Sequence, residues 1–160
     1  MILQVPAPAI DLCTRWEGLH KVVVRSPEVM VVPYLCPALV PTIGFGSTRY
    51  ADGRRVQLGD PPITEREAKL LLLYRLEADY RDTIRLCPNL AAASPERAGA
   101  ILSFVYNLGI GRLRTSTLRR RVLQEDWSEA AYEIQRWVWA GGKKLAGLVA
   151  RRADEARLLQ

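Results

Sequence analysis

Apolar residues recur at helical spacing near the start of the chain, in "PAPAIDLCTRWEGLH" (residues 6–20). Side chains three or four positions apart share one face of an α-helix, so the pattern predicts a first helix from about Ala9 to His20. Glu17 falls near the C-terminal end of this helix.

The pattern changes between positions 21 and 60, where β-branched residues dominate. "KVVVRSPEVMVVPYL" is broken at Ser26-Pro27, and "PTIGFGSTRYADGRRVQL" alternates in polarity around an Asp52-Gly53 turn. Asp-Gly between two such runs is a strong hairpin signal. The region therefore predicts a small antiparallel sheet of about three or four strands.

A long helix is predicted to follow this sheet. Thr64 and Glu67 match a capping box, in which a hydroxyl and a carboxylate satisfy the first backbone N–H groups of a helix. The helix that they open, "EREAKLLLLYRLEADYRDTIRL", is expected to end before Pro88.

The rest of the chain predicts a helical bundle. Helices begin at Ser94-Pro95 and near Thr115-Ser116, where a hydroxyl precedes an apolar run. Another runs from Ser128 to a stop at Gly141-Gly142, and "LAGLVARRADEARLLQ" closes the chain.

This order of elements predicts an α+β fold in a single domain, residues 1–160, with two lobes and a cleft between them. The β lobe, with its small antiparallel sheet, takes about residues 21–60. The helical part takes about residues 9–20 and 64–160, and the long helix joins the two lobes.

Composition narrows the possible functions. The net charge is +6 and the pI about 9.5, which predicts attraction to a polyanion: nucleic acid, an anionic membrane or envelope polymers. The basic run at 118–121 is interpreted as the solvated face of a short helix, so no nucleic-acid partner is expected. No apolar run approaches the ~20 residues of a membrane span, and the first residues make a poor signal peptide. We therefore expect no stable membrane insertion and a cytoplasmic location until something else releases the chain.

Three cysteines (Cys13, Cys36 and Cys87) and a single histidine, His20, limit the metal and redox chemistry. An odd number of widely spaced cysteines argues against a disulfide framework, and no C-x-x-C pair suggests zinc. One histidine nearly excludes a His-based triad or a multi-histidine metal site. We expect neither a metal nor a cofactor.

Several short motifs occur in order: "RWEGL", "PYLCPALVPTIGFGST", "ITEREA", "SFVYNLGIG", "STLRR" and "RWVWAGGKKLAGLVARRADE". Together they resemble the phage-type lysozymes, the endolysin muramidases of glycoside hydrolase family 24, over about residues 9–158. The resemblance implies a lysozyme-like fold. It also implies cleavage of the β-1,4 bond between N-acetylmuramic acid and N-acetylglucosamine in peptidoglycan.

The active-site pattern of that family is a Glu in "EGL", an Asp in "Y-x-D-P" and a Thr in "P-T-I-G". Carried over by position, it implies Glu17, Cys36 and Thr42 as catalytic residues, with cysteine where the family commonly has aspartate. Glu17 would protonate the leaving oxygen, helped by partial desolvation, and Thr42 would hold the attacking water. Cys36 then has three possible roles: a base on that water, a nucleophile, or a small apolar residue in an inactive site.

Other residues are candidates for substrate contact. Gly44 and Gly46 allow a tight turn and a close approach of polysaccharide to the backbone. Tyr106 and Asn107 resemble the pair that lines the sugar cleft from the helical lobe, although a tyrosine in such a helix is more often a core residue than a ligand contact. Glu28 is the only acidic residue between Glu17 and Asp52 and thus the alternative to Cys36 as the missing carboxylate, although a solvated turn glutamate is the commoner case.

Two further groups have competing interpretations. By the resemblance, Arg151 and Arg152 would place a cation near Glu17, although exposed ion pairs are common and weak. The tryptophans Trp127, Trp137 and Trp139 are interpreted as packing anchors of amphipathic helices rather than as sugar-stacking residues.

The leading hypothesis is a lysozyme: a monomeric phage or prophage endolysin that acts on peptidoglycan glycan strands and is attracted to the anionic cell envelope. It would be made in the host cytoplasm and reach the cell wall through a holin-type membrane lesion. The alternative is a catalytically inactive lysozyme-like module that binds peptidoglycan or serves as a phage structural part.

Overall fold

The computed structural model describes residues 4–160, which form two compact units. We call Cys13–Arg75 the sheet unit. The helical unit consists of the residues up to Leu12 together with Leu76–Gln160. The boundary differs from the predicted lobes because the sheet unit also includes the end of the first helix and the first half of the long helix.

The α+β fold class is confirmed by the elements. The helices are α1 (Ala7–Glu17), α2 (Glu65–Leu86), α3 (Pro95–Leu108), α4 (Ile110–Arg114), α5 (Thr117–Leu123), α6 (Trp127–Ile134) and α7 (Ala146–Leu159). The strands are β1 (Val22–Val24), β2 (Met30–Val31), β3 (Tyr34–Leu35), β4 (Pro41–Thr42), β5 (Ile63–Thr64), β6 (Trp139–Ala140) and β7 (Lys143–Lys144). A 3-10 helix covers Pro88–Ala91.

The sheet unit contains two small antiparallel sheets rather than the predicted single one. The first has the order β1-β2-β5, and the second pairs β3 with β4. Pro33 lies between β2 and β3 and has no N–H to give to a ladder, which accounts for the interruption. The turn predicted at Asp52-Gly53 is present, with Tyr50 N–H donating to the Arg54 carbonyl at 2.9 Å.

Helix α2 has the predicted bounds because both of its ends are specified locally. The Thr64 N–H donates to Glu67 Oε2 at 2.7 Å, and the Glu67 N–H donates to Thr64 Oγ1 at 3.1 Å. This is the reciprocal capping box that the sequence predicts. No helix among residues 4–160 is long and apolar enough to cross a membrane.

The helical unit is built around α3, whose residues from Ala98 to Tyr106 are all buried. Ser94 caps α3 as predicted by accepting a hydrogen bond from the Arg97 N–H. The core cluster draws the following residues from α3, α5, α6 and α7: Ala100, Ile101, Phe104, Val105, Leu118, Val122, Ala130, Ala131, Ile134, Ala156 and Leu159. Apolar side chains at helical spacing therefore form this core.

The predicted helix from Ser128 to Gly141-Gly142 is wrong in its second half. Helix α6 ends at Ile134, and β6 and β7 form a hairpin instead, with Trp139 opposite Lys144. Gly141 and Gly142 both have positive φ, so they form the turn of a hairpin and not a helix stop.

Three charged side chains of α7 are buried in the helical unit. Arg151 is 3% exposed, and Arg152 and Glu155 are 0% exposed. The Arg152 Nε atom lies 2.7 Å from Glu155 Oε2, and the Arg151 Nε atom lies 3.3 Å from Glu155 Oε1. The Ser103 hydroxyl donates to the same carboxylate at 2.7 Å. One carboxylate thus serves two buried guanidinium groups.

We expect Glu155→Gln to lower the free energy of unfolding by about 3–5 kcal/mol, because buried charges then lose their counterion. Asp82→Asn is the control, since it breaks the exposed pair with Arg85, whose side chain is 78% exposed, and exposed pairs contribute about 0–1 kcal/mol. Urea unfolding followed by circular dichroism measures both values. Equal losses in the two variants would contradict this account of the α7 network.

Candidate active site

Glu17 is the last residue of α1 and is half-buried. The helix ends three residues earlier than predicted because Gly18 has φ +67°, a left-handed conformation that glycine adopts readily. The chain turns back there, and His20 Nε2–H donates to the Glu17 carbonyl oxygen at 2.7 Å. The backbone of Glu17 is therefore fixed by a side chain of the following turn.

Cys36 lies at the turn between β3 and β4. Its N–H donates to the Val40 carbonyl at 3.1 Å, and its own carbonyl accepts from the Leu39 N–H at 2.8 Å. Tyr34 and Thr42 are directly opposite in the ladder. The hairpin therefore places Cys36 directly after β3 and Thr42 on β4, the strand that pairs with β3.

The environment of Cys36 favours the thiolate. Backbone hydrogen bonds at Val40 and Ala38, together with the nearby Thr42 side chain, lower the pKa of the Cys36 thiol below its usual value. Cys36 is partly exposed, whereas Cys13 and Cys87 are buried. Burial raises the pKa of the Cys87 thiol. Of the three thiols, Cys36 thus has the surroundings of a reactive cysteine.

Thr42 is only 2% exposed. Its hydroxyl donates to the Val40 carbonyl at 2.9 Å, which fixes the side-chain rotamer and leaves the oxygen lone pairs to accept a hydrogen bond. Thr42 also contributes to the lowered pKa of Cys36, so the two side chains are neighbours.

Tyr34 lies near both Glu17 and Cys36. Burial raises the pKa of the Tyr34 phenol, and the negative charges of Glu17 and Cys36 raise it further. The His20 ring lies against Tyr34, with centroids 5.2 Å apart. Glu17 and Cys36 are therefore both near Tyr34, and Thr42 is paired with Tyr34 in the ladder, all within the sheet unit.

His20 and Tyr34 have no predicted role in the sequence motifs. The signal for Tyr34 was its position two residues before Cys36 in the motif, and the signal for His20 was its place three residues after Glu17. Neither position reveals that the two rings meet, because that contact depends on how the chain folds back after α1.

Gly44 has a structural reason to be glycine. Its φ is +61°, and an added Cβ would lie 2.7 Å from the Ala68 Cβ of α2, which is too close for any larger residue. Gly44 and Gly46 also shape the turn closed by Ile43 and Ser47, whose N–H groups and carbonyls pair at 2.8 and 3.0 Å. Contact of either glycine with a glycan stays a prediction.

The remaining candidates lie elsewhere in the described chain. Tyr106 is 3% exposed, and the Asn107 side-chain oxygen accepts from Arg152 Nη2 at 3.0 Å, both within the helical unit. Glu28 is exposed in the loop between β1 and β2. Their contacts with substrate, and the predicted cation near Glu17, stay predictions. Among residues 4–160, no group of three or more His, Cys, Asp or Glu side chains is placed to hold a metal ion.

The fold combines several helices with small antiparallel sheets, and its sheet unit contains a half-buried glutamate at the end of a helix and a small hairpin. This combination is that of the lysozyme-like glycoside hydrolases. A model of the phage lysozyme family matches residues 16–155. This chain therefore belongs to the phage lysozyme family, and its enzymatic class is that of an endolysin-type glycoside hydrolase.

Individual relatives agree with this assignment. A SAR-endolysin of Bacteriophage PS119 is 39% identical over 124 residues, which are 77% of this chain and 70% of that protein. An endolysin structure from Escherichia coli O157:H7 phage FAHEc1 is similar with a TM-score of 0.79 at 28% identity, covering 98% of this chain and 93% of that one. A variant of P22 lysozyme has a TM-score of 0.77 at 25% identity, covering 98% of each chain.

We expect His20 to position Glu17 and Tyr34 for the reaction. His20→Phe keeps a ring against Tyr34 but cannot donate to the Glu17 carbonyl, so kcat should fall by about threefold to fivefold with KM unchanged. His20→Gln keeps a donor and should recover part of that loss. Steady-state kinetics on soluble glycan fragments measures both, and a His20→Phe enzyme with wild-type kcat would contradict the positioning role.

Proposed function

We propose that this chain hydrolyses the β-1,4 bond between N-acetylmuramic acid and N-acetylglucosamine in peptidoglycan, with Glu17, Cys36 and Thr42 as catalytic residues. Cys36 takes the place of the aspartate that the family commonly has. One observation carries the proposal. The Cys36 thiol, whose pKa is lowered, lies beside the Thr42 hydroxyl, and both Cys36 and Glu17 are close enough to Tyr34 for their charges to raise its pKa.

In the proposed mechanism, the Glu17 carboxyl donates its proton to the leaving glycosidic oxygen while the bond to the anomeric carbon breaks. The Cys36 thiolate accepts a proton from a water held by Thr42, and that water's oxygen forms the new bond to the anomeric carbon. The products are a sugar hemiacetal and a free hydroxyl. The Glu17 carboxylate and the Cys36 thiol then return to their starting protonation states through solvent.

Cys36 has a second possible role as a nucleophile, which would form a thioglycoside and retain the anomeric configuration. We favour the base because the Thr42 hydroxyl already donates to Val40 and so has lone pairs left to orient a water O–H. A base acting on water inverts the configuration.

Peptidoglycan glycan strands are the proposed substrate, and the endolysin names of the relatives support this choice. The net charge of +6 suits an anionic envelope. We propose further that the chain acts as a monomer and reaches the wall from the host cytoplasm through a holin-type lesion.

The experiment is digestion of purified peptidoglycan, with the soluble fragments identified by mass spectrometry after borohydride reduction. We expect fragments ending in reduced N-acetylmuramic acid. Fragments ending in reduced N-acetylglucosamine would contradict the bond specificity. Binding without any soluble fragment would favour the inactive binding module.

A further inference from the structure

The three tryptophans of the helical unit have different environments. The Trp137 ring packs edge-on against Phe104, with centroids 5.4 Å apart, and Trp127 is half-buried under the Arg97 guanidinium. Trp139, in strand β6, is 65% exposed. The packing interpretation is thus wrong for Trp139, whose large apolar ring faces solvent.

Trp139 borders an open groove of about 680 Å³ in the helical unit. The hydroxyl-bearing residues Thr115, before α5, and Thr117, at its first position, line the groove, and the β6–β7 hairpin supplies Lys144 opposite Trp139. An aromatic face beside hydroxyl groups and a cation is a mixed lining of the kind that binds polar organic ligands. We call this feature the Trp139 groove.

The charges of the Trp139 groove select an anionic ligand. Arg136 Nη1 lies 3.1 Å from Glu133 Oε1, so these two lining charges offset each other. Lys143 and Lys144, on the hairpin, have no carboxylate within ion-pair distance in the part of the chain that the structure describes. Two uncompensated ammonium groups therefore stand next to an exposed indole.

We propose that the Trp139 groove is a secondary binding site for peptidoglycan, in which the Trp139 ring stacks on a sugar and Lys144 pairs with a carboxylate of the attached acidic peptide. The pyranose ring has an apolar face that matches an indole, and the peptides of peptidoglycan are rich in carboxylates. This inference rests on the proposed substrate, and it assigns the groove a role in binding, separate from the chemistry at Glu17.

The test measures cosedimentation of full-length protein with purified sacculi in a Glu17→Gln background, so that binding is read without cleavage. Trp139→Ala and Lys144→Gln should each weaken binding by about threefold to tenfold, and Trp139→Phe should fall between Trp139→Ala and the parent. For an uncharged N-acetylglucosamine tetramer, Trp139→Ala should still weaken binding while Lys144→Gln should not.

The matched controls are Tyr132→Ala and Lys69→Gln, which change a 60% exposed aromatic on α6 and a lysine already paired with Glu65. Both should bind sacculi like the parent. Trp139→Ala binding within the range of these controls would overturn the inference. The inference would also be overturned if Trp139→Ala lost binding only to phosphatidylglycerol vesicles and not to sacculi, because the hairpin would then be a membrane contact.

Failure of the proposed function gives a different result from failure of this inference. If the enzyme with Glu17 intact releases no fragments, the proposed function fails whatever the binding data. If it cleaves sacculi, Trp139→Ala should raise KM and leave kcat unchanged, as expected for a contact made equally in the ground and transition states. If the enzyme cleaves sacculi and Trp139→Ala leaves KM unchanged, only the binding role of the Trp139 groove would be contradicted, and the proposed function would stand.

Discussion

Replacing Glu17 with glutamine is expected to lower the rate of peptidoglycan hydrolysis by about 10²–10⁴-fold while the fold stays intact. Glutamine has nearly the same shape as glutamate and can still occupy the end of α1, but it has no acidic proton for the leaving oxygen. The His20 hydrogen bond goes to the backbone carbonyl of Glu17 and should survive the change. Release of reducing ends from purified peptidoglycan gives the rate.

Glu28→Gln is the matched control for this substitution. Glu28 belongs to the same sheet unit and is exposed between β1 and β2, so its loss should leave the rate near that of wild type. A Glu17→Gln protein within about tenfold of wild type would remove Glu17 from the general-acid role. A large loss in Glu28→Gln would make Glu28 the substitute for the missing aspartate.

Alkylation of Cys36 by iodoacetamide is expected to abolish lysis. The thiolate is the reacting form, and hydrogen bonds centred on Val40 lower the pKa of Cys36. A lowered pKa means that the thiolate persists at pH values where an ordinary thiol is protonated. The alkylation rate should therefore fall only as the pH drops through this lower pKa.

The other two cysteines provide an internal control for the alkylation. Cys13 and Cys87 are buried, and burial raises the pKa of Cys87, so both should react slowly. Mass spectrometry should find one adduct, on Cys36, that accumulates in parallel with the loss of activity. Thr42→Val removes the hydroxyl that helps to lower the pKa of Cys36 and should move the midpoint of the alkylation profile to higher pH. Full alkylation of Cys36 with lysis retained would contradict a catalytic thiol.

The elements that sequence predicts well are those with local signals. Helix α2 has a capping box at Thr64 and Glu67 and stops before Pro88, so its bounds follow from residues next to each end. The two-residue strands β3 to β7 have no such signal, because they are too short to show the alternation of polar and apolar residues that marks a strand in sequence. The β6–β7 hairpin was therefore predicted as the end of a helix.

Burial of charge was the least predictable property. Arg151, Arg152 and Glu155 lie in a polar stretch of α7, and such side chains are usually exposed. They can be buried because two guanidinium groups, one carboxylate and the Ser103 hydroxyl meet in one place, and this requires α3 and α7 to be packed together. The spacing of residues along the sequence does not reveal that α3 and α7 pack together.

For the candidate site, the sequence motifs singled out Glu17, Cys36 and Thr42, but they predicted Glu17 in the helical part and the other two in the β lobe, whereas all three lie in the sheet unit. The surroundings that give these residues their chemistry were not predictable in the same way. The charges of Glu17 and Cys36 both raise the pKa of Tyr34, and this proximity depends on the chain reversing at Gly18 and again at the β3–β4 turn.

The most direct measurement of the central claim, that a cysteine does the work of an aspartate, is the initial rate of peptidoglycan hydrolysis by Cys36→Ala and Cys36→Asp beside wild type. We expect Cys36→Ala to lose about 10²-fold or more, because no base remains for the water, and Cys36→Asp to remain active. Unfolding curves that match wild type would show that the loss is chemical. A Cys36→Ala enzyme as fast as wild type would contradict any catalytic role for Cys36.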